Sequence, residues 1–179
     1  MDALGMADGL IAGELEALYL LRADPLSDGD PLSRVQPRAE LPLRALWDQA
    51  LRRASAVVAH ATFLSDGVRE HADVVFPAQA YAEKEGTITH PDGRLQRLRP
   101  AVARPGSTRP EWLLIDELAA GLGLELGIDT ATGASGQLFG AVPFYAGLTL
   151  EEIGGRGVRW QERPQARAYG AALLTGERA

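Results

Sequence analysis

AVVAHATFLSDGVREHADVVFPA, Ala56 to Ala78, decides the fold. It opens on a short apolar run, AVVAHATF, with no alternation of polar and apolar residues. It closes on another, DVVFPA, stopped by Pro77. Uninterrupted runs of this length suit strands buried on both faces, as in a parallel sheet. Between them LSDGVREHA has the form of a helical turn with Ser65 or Asp66 as its cap. Strand, helix, strand in this order predicts parallel neighbours joined by a right-handed crossover.

Upstream, ELEALYLLRADP (residues 14–25) supplies a further apolar run. It ends at Asp24, which Pro25 forces toward an extended conformation. PLSDGDPLSRVQPRAELP (25–42) is a loop by composition. In LPLRALWDQALRRASA, Leu43, Leu46, Trp47, Ala50, Leu51 and Ala54 fall on one helical face. The expected fold class is therefore α/β, a Rossmann-like parallel sheet with flanking helices. Ligands in such sheets sit beyond the carboxyl ends of the strands. Those ends are Arg22–Asp24, His60–Phe63 and Phe76–Gln79.

Downstream, GTITHPDGRLQRL predicts an appended β-hairpin turning at Asp92-Gly93. Thr108-Arg109-Pro110-Glu111 has the form of a capping box opening a helix that Gly121 or Gly123 ends. GIDTATGASGQLFGAVPFYAG is glycine-rich and reads as irregular. Thr149 is placed to cap a short helix, and GGRGVRWQERPQARAYGAALLTGERA reads as a tail packed through Trp160. This divides the chain into an α/β domain at 1–125 and an irregular extension or linker at 126–179.

A net charge of −6 argues against a general nucleic-acid binder. The absence of cysteine rules out thiolate zinc sites and iron–sulfur clusters ligated by this chain. No stretch approaches the roughly 18 apolar residues of a membrane helix, and MDALGMADGL lacks the basic start and apolar run of a secretory signal. The expectation is a cytoplasmic chain reaching a membrane only through partners.

Chemistry is sparse. Glu83 and Glu85, two apart, do not face each other on a strand or a helix, so they suit a solvated stretch before a glycine better than an acid pair. His60, His71 and His90 form no helical metal pair. His60 alone falls at the ligand edge of the sheet. Arg94, Arg97, Arg99, Arg104 and Arg109 make a basic stretch, fit for a phosphate, an acidic partner or a charged edge that blocks aggregation. No catalytic residue and no metal ligand set emerges.

HADVVFPAQAYAEKEGTITHPDGRLQRLRPAVARPGSTRPEWLLIDELAAGLG resembles the molybdopterin oxidoreductase family, and within it most the large iron–sulfur subunit of bacterial NADH-quinone oxidoreductase, respiratory complex I. The residues carrying the resemblance are Ala72 to Ala78, then Glu83, Gly86, Thr87, Gly93, Arg94 and Gln96, then Arg104, Pro105, Gly106, Glu111 and Trp112. The resemblance implies a non-catalytic scaffold domain supporting electron transfer from NADH to quinone. Other respiratory complex subunits would be its partners, and iron–sulfur clusters would lie elsewhere in the full subunit, with no cofactor in this chain. The alternative it implies is a pterin-dinucleotide-binding domain of a molybdenum-dependent, formate dehydrogenase-like oxidoreductase. Molybdopterin would then lie against Arg22, Asp24, Pro25, His60, Glu83, Thr87 and Arg94. Arg22 stands where the family usually has glycine, His60 where molybdoenzymes often have aspartate, and His90 and Asp92 where asparagine and glutamate are usual.

Overall fold

The computed structural model describes residues 2–27, 43–90, 92–160 and 164. They form two compact units. The first comprises the described residues of Met1–Ala78 with Gly106–Arg109, the second those of Gln79–Pro105 and Pro110–Ala179.

The first unit is a three-stranded parallel sheet with strands β1 (Ala17–Leu21), β2 (Ala56–Ala61) and β3 (Val74–Pro77), in that order. Leu18 pairs with Val57 and Leu20 with Ala59, and Ala59 in turn pairs with Val75. Leu18, Leu20, Val57 and Ala59 share one face because strand side chains alternate. They pack with Ala7 and Leu10 of α1 (Ala3–Ala12), with Leu43, Trp47, Ala50 and Leu51 of α2 (Leu43–Arg53), and with Val68 of α3 (Asp66–His71). All six apolar positions predicted for the α2 face belong to this core. Ser65 caps α3 by accepting the Val68 N–H at 3.4 Å.

α1 is not foreshadowed by any periodic pattern in the sequence. Its signals are local: the Asp2 carboxylate accepts the Gly5 N–H at 2.7 Å, and Gly13 closes the helix at φ 76°. Its apolar residues spread around the helix, so no amphipathic stripe announces it.

β3 departs from the expectation of a fully buried strand. Val74 and Val75 are exposed, and β3 is an edge. Leu21 at the end of β1, the other edge, is exposed as well. An apolar run records that a strand can be buried, whereas burial itself depends on what covers it. What pins β3 is polar: Asp73 accepts the Val57 N–H at 2.7 Å, and its own N–H donates to Val57 O at 2.9 Å. The predicted loop at 25–42 lies outside the described residues beyond Ser27.

The second unit is built on an antiparallel sheet, β4 (Gly86–Thr89), β5 (Arg94–Leu98) and β6 (Val158–Arg159), in that order. The expected hairpin is present: His90 N donates to Arg94 O at 2.8 Å and Gly93 takes φ 80°. The Asp92 carboxylate accepts the Arg94 N–H at 3.0 Å and lies 2.9 Å from His90 Nδ1. The Arg94 N–H first, and the His90 ring second, hold the Asp92 carboxyl below its ordinary 3.8. A depressed folded pKa means the turn is stabilised above the unfolded value and loses that contribution as pH falls through the folded one. An NMR pH titration is expected to place the Asp92 midpoint below 3.8; a midpoint at or above it would contradict the turn geometry.

Among the described residues the unit also carries the α-helices α4 (Glu111–Gly121), α5 (Ala131–Ala141) and α6 (Leu150–Ile153). Leu95, Phe139, Leu148, Ile153 and Trp160 form its core, and the Trp160 indole N–H donates to Phe144 O. Trp160 is thus packed as expected; most of the tail after it lies outside the described residues.

Two local expectations fail. Thr108 does not open α4: the helix starts at Glu111 after Pro110, which makes no side-chain cap. Arg109 is held extended instead, its N–H donating to Pro77 O at 3.3 Å, while Glu111 pairs with Lys84 at 3.0 Å. The glycine-rich stretch read as irregular carries α5. Thr130 caps it by accepting the Gly133 N–H at 2.9 Å, and Ala131, Ser135 and Phe139, four apart, bury one face. Packing of that face outweighs the poor helix propensity of its glycines. Thr149 caps α6 as expected, accepting the Glu152 N–H at 3.1 Å.

Candidate functional site: the strand tips and the hairpin groove

In the first unit, Arg22, Asp24, Pro25 and His60 gather at the carboxyl ends of β1 and β2. Arg22 takes a left-handed conformation, φ 54°, the one described non-glycine residue to do so. Its N–H donates to His60 O at 2.9 Å, which continues the β1–β2 ladder past the last paired residues. This conformation is the one glycine adopts without cost, so the usual family glycine has a backbone reason at this position. Arg22 keeps the bend and adds an exposed side chain at the strand tip.

Asp24 is committed inward. Its carboxylate accepts the Leu26 N–H at 3.0 Å and the Ser65 hydroxyl at 2.5 Å. A Cβ built on Gly67 would lie 2.8 Å from Asp24 Oδ2. The first βα loop is thereby tied to the start of α3, and a glycine at 67 is what lets the carboxylate approach. Pro25, next in the same loop, is fully buried. His60 is also fully buried, with Nδ1 3.4 Å from Tyr19 Oη. Both side chains lie on the sheet face opposite α1 and α2, since His60 and Tyr19 alternate with the core residues Ala59 and Leu20.

In the second unit, Glu83 sits in a short 3-10 turn, Tyr81–Glu83. Its carboxylate accepts the Ala80 N–H at 2.8 Å and its carbonyl accepts from Gln79 Nε2 at 2.9 Å. Thr87 lies on β4. Arg94 opens β5, its guanidinium 3.4 Å from Arg156 O and 3.9 Å from Asp92 Oδ2. Glu83 and Glu85 are not an acid pair: Glu85 lies 3.5 Å from Arg97. Both nevertheless line an open groove of about 340 Å³, with Gln79, Arg104 and Trp112. A groove of that size takes a small ligand or one ring system of a larger one. Of the basic stretch, Arg94 and Arg97 are engaged with acids, Arg99 and Arg104 are exposed, and Arg109 belongs to the first unit.

Sequence reasoning singled out Asp24 but missed what holds it. Ser65 was visible only as a helix cap, Gly67 only as a small residue, and Tyr19 only as part of an apolar run. Ser65 meets Asp24, and Tyr19 meets His60, across 41 positions in each case, a separation no local pattern reports.

The strand-tip residues suit a pterin dinucleotide. An exposed arginine at the carboxyl edge matches the anionic phosphates of such a group. The buried Pro25 and His60, with the half-buried Asp24 that is bonded to Leu26 and Ser65, match the wall behind it. The set therefore fits as one side of a nucleotide site.

The family model for molybdopterin oxidoreductases matches residues 3–121. The chain is 32% identical over 152 residues to the F420-dependent formate dehydrogenase 2 subunit alpha of Methanococcus maripaludis, covering 83% of this chain and 21% of that protein. It is 31% identical over 147 residues to the NADPH-Fe(3+) oxidoreductase subunit alpha of Geobacter sulfurreducens, covering 82% and 16%. Among solved structures, the acetylene hydratase from Pelobacter acetylenicus matches with a TM-score of 0.57 at 18% identity, over 83% of this chain and 19% of that one. That likeness shows the fold alone. The chain spans about a sixth to a fifth of the length of the curated relatives it matches. Matched by the family model from α1 to the end of α4, and built on the same parallel strands that the sequence motifs mark out, the chain belongs to the molybdopterin oxidoreductase family.

Proposed function

We propose that this chain is a pterin-side domain of the large subunit of a multi-subunit oxidoreductase of the formate dehydrogenase type. The observation that carries the reading is the similarity to a formate dehydrogenase alpha subunit over most of the chain. When bound, a pterin-held molybdenum or tungsten supplies two-electron redox chemistry on a small substrate. The chain's own part is positional. Arg22 offers its guanidinium to the dinucleotide phosphates, and the Asp24–Ser65 link keeps the loop that carries it in register. On the same reading, Glu83 in the turn before the hairpin and Thr87 and Arg94 on the hairpin are the second unit's candidates for contact with the cofactor. Partner subunits complete the electron path, and any membrane association runs through them; no described helix is long and apolar enough to cross a bilayer.

A second reading, a cofactor-free scaffold in the large subunit of an NADH-quinone oxidoreductase, draws on one observation. Arg22 occupies a left-handed strand tip where glycine would leave the backbone open to a phosphate. The two readings part on metal content. The native complex, captured through a tag on this chain and measured by mass spectrometry for metals, is expected to hold about one molybdenum or tungsten per chain. Iron without either metal, together with co-purifying respiratory subunits, would overturn the first reading in favour of the second.

A further inference from the structure

On the helical side of the first unit, Asp48 of α2 and Glu70 and His71 of α3 bring three metal-ligating atoms within 4.8 Å of one another. We propose that these residues form a divalent transition-metal site, best matched to zinc, held closed by Arg52.

The histidine carries the argument. Its side chain is 4% exposed, and Nε2 makes no well-aligned hydrogen bond among the described residues, only a close ion-pair approach. That nitrogen faces the carboxylates, 3.2 Å from Asp48 Oδ1 and 4.0 Å from Glu70 Oε1. Zinc bonds of about 2.0–2.1 Å in tetrahedral array put ligand atoms about 3.3 Å apart. The Asp48–His71 separation already matches that edge, and the exposed Glu70 closes the remaining gap by a rotamer change. One imidazole nitrogen and two carboxylates leave a fourth position for water, and a nitrogen donor favours zinc over magnesium or calcium. A groove of about 360 Å³ lined by Leu26, Arg44, Ala45, Asp48 and Glu70 opens beside the cluster and gives an ion a route in.

Arg52 is the competitor. Its guanidinium bonds Asp48 at 3.0 and 3.1 Å and Glu70 at 2.6 Å, which neutralises the same two carboxylates. The side chain is 57% exposed and free to swing into solvent, so a cation that bonds both carboxylates and the imidazole displaces it. Removing Arg52 should therefore tighten metal binding, a gain of function that misfolding cannot imitate.

The test is zinc titration of the full chain against a colorimetric chelator, with Arg52→Gln, Glu70→Gln and His71→Gln alongside. Saturable binding of one zinc is expected, tightened at least tenfold by Arg52→Gln and weakened at least tenfold by Glu70→Gln and by His71→Gln. Absence of binding by both the parent chain and Arg52→Gln, or binding that none of the three substitutions alters, would overturn the proposal.

Discussion

Trp160→Ala is expected to destabilise the second unit by about 3–5 kcal/mol, the largest single effect anticipated for this chain. Trp160 is 1% exposed and packs with Leu95, Phe139, Leu148 and Ile153, residues drawn from β5, α5, α6 and the loop between these helices. Truncation leaves a cavity that those elements cannot jointly close, because each is fixed by its own backbone bonds. It also takes away the indole N–H that Phe144 O accepts. Urea unfolding followed by circular dichroism measures the loss; a cost below about 1 kcal/mol would show that Trp160 does not hold this core together. The first unit supplies a control. Trp47 is equally buried, at 2% exposure, but its indole nitrogen has no hydrogen-bond partner among the described residues. Trp47→Phe discards a buried donor without a partner, whereas Trp160→Phe breaks a made bond, so the second substitution costs more.

Gly67→Ala is expected to reverse the usual sign of its class. Replacing a helical glycine by alanine normally stabilises, by about 0.4–1 kcal/mol. Here the new methyl would meet the Asp24 carboxylate, 2.8 Å from Oδ2 and 2.9 Å from Cγ. The carboxylate must retreat, and its bonds to the Ser65 hydroxyl and the Leu26 N–H are lost or stretched. The expected cost is about 1–3 kcal/mol, as for other overpacked sites. A double-mutant cycle identifies the cause: Gly67→Ala should cost much less when Asp24 is already alanine. Equal costs in both backgrounds would mean that the strain lies elsewhere. The same substitution reports on function, since it loosens the loop that carries Arg22 while leaving Arg22 itself in place.

Much of the first unit was legible in the residues. The runs at 17–21, 56–61 and 74–77 are short and apolar, bounded by turn residues as sheet strands are, although the last became an exposed edge, and α2 shows a full helical stripe. The hairpin followed from Asp92-Gly93. What escaped was decided by contacts distant in sequence. α5 contains Gly133, Gly136 and Gly140, and only the docking of Phe139 beside Trp160 makes a helix there. Thr108 has the spacing of a capping box, but Arg109 is claimed by Pro77 O first.

The candidate site divides in the same way. Arg22, Asp24, Pro25 and His60 could be chosen from the sequence because strand ends are where α/β sheets bind ligands. Their roles could not. Asp24 faces inward because Ser65 and the absent side chain of Gly67 make room for it, and His71, unremarkable in the chain, meets Asp48 only once α2 and α3 are packed.

By itself the sequence determined the parallel strands, the α2 stripe and the family, since each is written in neighbouring residues whose periodicity and turn chemistry act locally. The tertiary structure alone decided which strand became an exposed edge, which carboxylates were tied up in loops, and which histidine was left facing two acids. Those outcomes depend on which surfaces meet, and covering, desolvation and pairing exist only between groups that folding brings together.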